Sequence, residues 1–508
     1  MQLSKNNLEK ISSSLVVKPL PGVFELPEKV LQFGTGVLLR GLPDYFIDKA
    51  NRQGIFNGRI VVVKSTSQGD ADAFANQDNL YTLSVRGLEG DNHVEEYIIN
   101  SSISRVISAK ENWPAIVDCA KNPELKIIIS NTTEVGIALV EDDIHLTPPR
   151  SFPGKLLAIL YERFKAFNGS SDSGLVIIPT ELITDNGLKL REIILELARQ
   201  QNLEENFITW LREANDFCNS LVDRIVPGKL PANEKLITEN KLGYSDELMI
   251  MAESFRLWAI ETNSERVKNI LSFASVDDGV IIAPDIENFR ELKLRLLNGT
   301  HSFSCALAYL AGFETVKEAM NDCDFSNFVQ QLALNEIAVA MSDENISYKQ
   351  ACEFAIKVID RFKNPFIDHP WINISVQYSS KMKMRNIPLL LKHYEKTSAT
   401  PESMSIGFAA FLLFMACTKK PNGKYCGRLN GMEYEVQDDQ AAYFADKWAN
   451  YQPTEVVEEV LRDKNFWDYD LSQLNGFANA VKINLQSLIK DGAMTTIRNL
   501  ELSKTMVE

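Results

Sequence analysis

The sequence predicts an α/β chain in two parts: a doubly wound sheet domain over residues 1–285, then a mainly α-helical domain over residues 286–508. Three observations carry this reading. The chain has 508 residues, too many for one ordinary core and suited to two or three domains. Through its first half, short β-branched runs alternate with stretches of helical period. Beyond about residue 286 the strand runs nearly vanish, and helical spacing dominates over 326–342, 347–361, 402–417 and 438–449.

The elements follow in order. Val30-Leu31-Gln32-Phe33 reads as a buried strand broken by Gly34-Thr35-Gly36. Val37, Leu38, Leu42, Phe46, Ile47 and Ala50 then keep helical spacing, with Gly54 as the stop. Residues 59–64 (RIVVVK) form a second strand, and a right-handed crossover makes the two strands parallel neighbours. Residues 81–86 and 94–99 flank a glycine-containing turn and predict an antiparallel hairpin. Residues 125–130 and 175–179 are further buried strands, and 280–282 is the last strand, closing the α/β part near Pro284. In the helical part, Asn430-Gly431 within 424–436 is the strongest hairpin signal.

Composition bounds the function. Apolar residues make up 45% and charged residues 24%, the balance of a globular protein. The net charge of −15 argues against nucleic acid or an anionic membrane as partner, and an anionic substrate then needs local cations. The apolar run at 407–417 falls short of the roughly 20 residues that a membrane span requires. Met1-Gln-Leu-Ser-Lys has no signal-peptide character, and the seven cysteines form no CxxC pair or Cys/His cluster. The expectation is a reduced, cytoplasmic protein without a metal site.

Gly34-Thr35-Gly36, placed between a strand and a helix, is the form of a phosphate-cradling turn, although Leu39 stands where a full fingerprint has its third glycine. A plain structural turn is the alternative. Arg40, one turn on, is either a cation for those phosphates or an ordinary surface arginine. Lys64-Ser65-Thr66-Ser67 offers no clean ribose-binding acid, with Asp70 only later, so this region leaves NAD and NADP open. Asn131-Thr132-Thr133-Glu134-Val135-Gly136 follows a strand, where a polar loop faces the cofactor crevice or merely caps. Lys293, Asn298 and His301 fall within an arc of about 140° on an α-helix and spread over about 12 Å. Lysine as general acid or base, asparagine as oxyanion donor and histidine as hydroxyl-orienting group make a coherent set. A solvated lysine and a core histidine fit the same pattern.

The K-x4-N-x2-H spacing of Lys293, Asn298 and His301 resembles the signature of the polyol-specific long-chain dehydrogenase/reductase family. That family contains mannitol dehydrogenases, fructuronate reductases and tagaturonate reductases. The opening at 32–36, the loop at 131–136 and Val222-Asp223-Arg224-Ile225-Val226-Pro227 carry the same resemblance, in order, from about residue 28 to beyond 490. Within the family, SNTTEVGI, the Pro-x-Glu-Leu-Ile segment at 179–183, FCNSLVDRIV, AMND and VQDD are most like the tagaturonate-reducing members. The resemblance implies a Rossmann-type N-terminal domain binding NAD through Phe33, Gly34, Thr35, Gly36, Arg40, Thr132, Thr133 and Glu134. It implies metal-free hydride transfer with Lys293 as general acid/base, Asn298 on the reacting oxygen, and His301 with Asp223 positioning hydroxyls. It implies a sugar-acid substrate and a monomer or small homo-oligomer. Mannitol dehydrogenases carry a Cys-Asp-Asn stretch where this chain has Thr180-Glu181-Leu182, so either Asn186 supplies the second oxyanion contact or Asn298 acts alone. A lysine acting as base near neutrality needs burial or nearby cations, with Arg295 a candidate. For the substrate carboxylate, Lys381 and Arg385 share a helical face in the segment after Asn364-Pro365; a solvated basic face is the alternative.

Overall fold

The computed structural model describes residues 1–65, 71–90, 92–132 and 136–505. The chain forms two compact units, one of Met1–Gly87 with His93–Ile286, the other of Leu88–Asn92 with Glu287–Glu508.

In the first unit, six strands form one sheet in the order Ile103–Ser108, Arg59–Lys64, Glu28–Phe33, Ile127–Ser130, Val176–Pro179 and Asp216–Phe217. Every adjacent pair is parallel. Both faces of such a sheet are covered, so its central strands are apolar over most of their length, with Gln32 a buried exception. Val30, Ile60, Val62, Ile127 and Ile129 pack into one core, while Leu31, Phe33, Val61, Val63 and Ile128 pack into the other. Chain direction across the sheet reverses between Glu28–Phe33 and Ile127–Ser130. The carboxyl ends of these two neighbours carry the Gly34 turn and the Asn131 loop, so both predicted cofactor segments stand at the topological switch point.

Some expectations change. The helix expected over 37–50 is two helices, Val37–Gly41 and Pro43–Arg52. Pro43 drives the preceding residue out of the helical region, and Leu42 sits at φ −133, ψ −77. The strands of the expected hairpin, Tyr81–Glu89 and Asn92–Asn100, are neighbours, but they belong to a four-stranded sheet completed by parallel partners Val16–Val17 and Ile250–Glu253. Val280–Ala283 is the last strand of this unit, as expected, but it lies outside the main sheet: it pairs in parallel with Leu257–Glu261, which pairs antiparallel with Ser220–Asp223. Val16–Val17, Ser220–Asp223, Ile250–Glu253 and Leu257–Glu261 are only two to five residues long, too short for a period to show.

The second unit is built around Glu402–Phe414, a helix buried along almost its whole length among Phe303, Tyr378, Trp467 and Phe477. The apolar run at 407–417 is thus a central core helix, and among the described residues no helix is long and apolar enough to cross a membrane. Asn430 and Gly431 take φ 49 and φ 85 and join Tyr425–Leu429 to antiparallel Met432–Glu435, as the Asn-Gly pair predicts. Three segments, Lys293–Leu297, Gln331–Ile337 and Met382–Asn386, are wound as π-helix.

Candidate active site

The site residues fall into two sets, one on each unit. In the first unit, Gly34 takes φ +127, where a Cβ would press on Leu39 Cδ1 at 3.0 Å and the Asn131 carbonyl at 3.2 Å. Gly36 is exposed, and a Cβ there would meet nothing within 4 Å. The backbone at Gly36 is therefore open to an approaching group, which is what a dinucleotide pyrophosphate requires of this turn. Thr35 is half-buried beside it. Phe33 contributes backbone only, because its ring is buried against Phe152 at 5.1 Å.

Arg40 does not serve as a phosphate cation. It is buried, donates to the Leu248 carbonyl at 2.8 Å and lies against the rings of Phe74 and Tyr81. Its helical position faces the second sheet rather than solvent, and burial lowers its pKa.

The loop after Ile127–Ser130 is held by a residue that sequence reasoning passed over. Glu181 is buried, and its carboxylate accepts from Ser130 Oγ at 3.1 Å, Thr132 N–H at 2.8 Å and Thr132 Oγ1 at 2.9 Å. Asn131 donates to Thr180, tying the two strand ends together again. The signal was present: a glutamate following the apolar strand Val176–Pro179 has to find donors when buried. Thr133 and Glu134 lie outside the described residues.

Asn186 is not available to a substrate. It is completely buried, its amide donates to the carbonyls of Pro179, Glu181 and Ser220, and its own carbonyl accepts from Gly187 and Ser220 N–H. Its role is to join the strand end at 179–181 to Ser220–Asp223. Leu182, where mannitol dehydrogenases carry asparagine, is 61% exposed. Asp223 ends its strand, buried.

In the second unit, the helical arithmetic needs one correction. Lys293–Leu297 is a π segment, and the Asn298 N–H reaches the Lys293 carbonyl five residues back. Residues five apart are then stacked as residues four apart are in an α-helix, so Lys293 and Asn298 share a face more closely than an unbroken α-helix allows. Asn298 and His301 are one α-helical step of three apart on Asn298–Ala311. Lys293 and Asn298 are half-buried and His301 is buried.

His301 packs on Phe362 at 4.0 Å, His369 at 5.1 Å and Trp371 at 6.1 Å. Burial first, then the charges of His369, Arg385, Arg361 and Lys381, hold its imidazole well below the usual histidine range. It is neutral at neutral pH, able to donate from one nitrogen and accept at the other. Arg385 donates to Ser302 Oγ at 3.3 Å, one residue from His301, and pairs with no carboxylate among the described residues. Lys381 donates to the Ile374 carbonyl at 2.8 Å, and burial, then Arg385, lower its pKa. Lys381 and Arg385 are therefore not a solvated basic face, and Arg361 and His369 join them as residues that sequence spacing did not reveal.

Arg295 is spent on structure. It pairs with Glu291 at 3.1 Å and donates to the carbonyls of Met384 and Arg385; Met384 cannot find an α-helical donor four residues on, because Pro388 has no N–H. Its charge is balanced by Glu291. Among the described residues no group of His, Cys, Asp and Glu is arranged to hold a metal ion.

A doubly wound sheet with an open glycine turn at its switch point, together with a helix presenting Lys, Asn and His, defines a dehydrogenase acting on a CH–OH group. The Mannitol dehydrogenase Rossmann domain matches residues 28–271 and the Mannitol dehydrogenase C-terminal domain matches residues 285–489. The chain belongs to the mannitol dehydrogenase family. It is 36% identical over 469 residues to the altronate oxidoreductase of Bacillus subtilis (strain 168), covering 91% of this chain and 93% of that one. It is 35% identical over 494 residues to the altronate oxidoreductase of Escherichia coli O1:K1 / APEC, covering 95% and 99%. In fold it is similar to Pseudomonas fluorescens mannitol 2-dehydrogenase, solved with NAD and D-mannitol, at TM-score 0.66 and 22% identity over 98% of this chain and 99% of that one. A D-sorbitol dehydrogenase is similar at TM-score 0.74 and 18% identity, over 98% of this chain and 100% of that one.

Proposed function

We propose that this chain is an NAD-dependent oxidoreductase that interconverts D-tagaturonate and D-altronate. The observation that carries the sugar-acid reading is the cation cluster around His301. Arg385, half-buried and without a carboxylate partner among the described residues, stands with Lys381 and Arg361 in a chain of net charge −15. A neutral polyol has no use for such charges. A uronate carboxylate does, and the arginine fork suits it best. The altronate oxidoreductase relatives support the same choice.

NAD is the cofactor, and its pyrophosphate is assigned to Gly34, Thr35 and Gly36, with Thr132 on the adjoining strand end. The nicotinamide supplies or accepts the hydride. The chain's own residues do the rest. Lys293 gives a proton to the substrate oxygen in reduction and removes it in oxidation. Asn298, stacked on Lys293 by the π turn, donates to that same oxygen as charge develops. Neutral His301 and Asp223 hold neighbouring hydroxyls.

A panel of tagaturonate, fructuronate and fructose with NADH tests the reading. Turnover is expected to be greatest with tagaturonate. Preference for fructuronate moves the enzyme to a neighbouring specificity, and preference for fructose over both uronates defeats the sugar-acid reading.

A further inference from the structure

Behind the glycine turn lies a buried polar group of three that the reaction itself does not use. Gln32, one position before Phe33, is fully buried, and its amide nitrogen donates to the Gly34 carbonyl at 3.4 Å. Its side chain also lies beside the carboxyl of Asp44, another fully buried residue. Two acceptors here have no donor: Gln32 Oε1 and Asp44 Oδ1. Tyr81, the third member, has one proton, and its hydroxyl is 2.8 Å from the Arg40 carbonyl but 3.4 Å from Asp44 Oδ2. Two orphaned oxygens in a dry interior are unfavourable if both are only acceptors. One added proton resolves both.

We propose that Asp44 is a neutral carboxylic acid that donates from Oδ1 to Gln32 Oε1 and, through the other end of the Gln32 amide, positions the Gly34–Gly36 turn for the dinucleotide. Asp44 and Gln32 are positioning residues, and the proposal rests on the reading that NAD seats at this turn. The surroundings favour the neutral acid. Burial raises the Asp44 pKa to about 8, with Arg40, Gln32 and Tyr81 opposing and Asp48 assisting. Arg40 comes from the helix Val37–Gly41, Asp48 from Asp44's own helix and Tyr81 from the second sheet. Asn100 of the neighbouring strand donates only to the Asp44 backbone carbonyl. Tyr81 is itself held well above the usual tyrosine range by burial, so it stays protonated. Asp48, also raised by burial, accepts from Ser101 and pairs with Arg52.

The sign follows. As pH rises through about 8, Asp44 loses its proton, a buried charge faces the Gln32 oxygen, and the turn loses its support. NADH affinity, measured by fluorescence titration, should then fall by up to about tenfold per pH unit. Asp44→Asn keeps an N–H donor for Gln32 Oε1 and has no proton to lose, so its affinity should stay flat across that range. Asp48→Asn should keep the wild-type profile. A flat wild-type profile, or an Asp44→Asn profile that falls in parallel, overturns the positioning role. A second readout needs no cofactor: because Asp48 and Asp246 are also buried carboxyls with raised pKa, the wild-type minus Asp44→Asn infrared difference should show one carboxylic-acid C=O band, and that band should disappear as pH passes about 8. Absence of that difference band below pH 8 overturns the neutral acid. Failure to bind NADH at any pH, with the band present, defeats the cofactor reading instead.

Discussion

The glycine turn of the first unit and the Lys293 helix of the second present opposite kinds of surface. Around Gly34–Gly36 nearly every side chain is already spent inside the fold: Arg40 on Leu248, Glu181 on Ser130 and Thr132, Asn186 on three carbonyls. What remains is backbone and open space at Gly36. Around His301 the reverse holds, and charged side chains gather with no carboxylate to balance Arg385 among the described residues. On the function proposed above, the dinucleotide is recognised by shape and peptide groups and the sugar acid by charge. Side-chain changes should therefore strike the two regions differently.

The sharpest test of the contrast is Lys293→Ala, expected to lower kcat by roughly 10²–10⁴ while NADH affinity holds, because only proton transfer is lost. A variant with wild-type kcat would remove Lys293 from the acid/base role. Next comes Arg385→Met. KM for tagaturonate should rise by an amount matching about 1.5–3 kcal/mol of charged hydrogen bonding, with KM for NADH nearly constant. The effect should shrink for a neutral ketose; equal losses on charged and neutral substrates would show that Arg385 supports the fold. Gly36→Val probes the other region. A Cβ there meets no protein atom within 4 Å, so the fold should tolerate it, yet NADH should bind about tenfold or more weakly, a change of about 1.4 kcal/mol. Unchanged affinity in the folded variant would exclude a phosphate at this turn. The smallest effect is expected from Glu181→Gln, which replaces one acceptor oxygen by a donor facing Ser130 or Thr132. Its cost, about 1–3 kcal/mol, should register as a lower denaturation midpoint with kcat little altered. A large fall in kcat without loss of stability would place Glu181 in the chemistry.

Much of the outline was legible in the residues themselves. Val30–Phe33, residues 59–64 and the Ile-rich runs before Asn131 and Thr180 announce buried parallel strands, because short, largely apolar runs without alternation suit a sheet covered on both sides. The Asn430-Gly431 turn and the run of helices beyond 286 were equally plain, since each is a local property of a few residues. Lys293, Asn298 and His301 stood out because their spacing is itself the signal. Tertiary structure decided the rest. It turned Arg40, Asn186 and Arg295 inward, because a polar side chain is claimed by whichever unpaired carbonyl the fold brings to it, and those carbonyls lie far along the chain. It gathered Arg361, from the helix Tyr348–Phe362, and His369, from the loop that follows that helix, beside His301. It inserted the π turn that brings Lys293 over Asn298. Periodicity and composition act between near neighbours, whereas burial and charge act between whatever packing brings together, and the second cannot be read from the first.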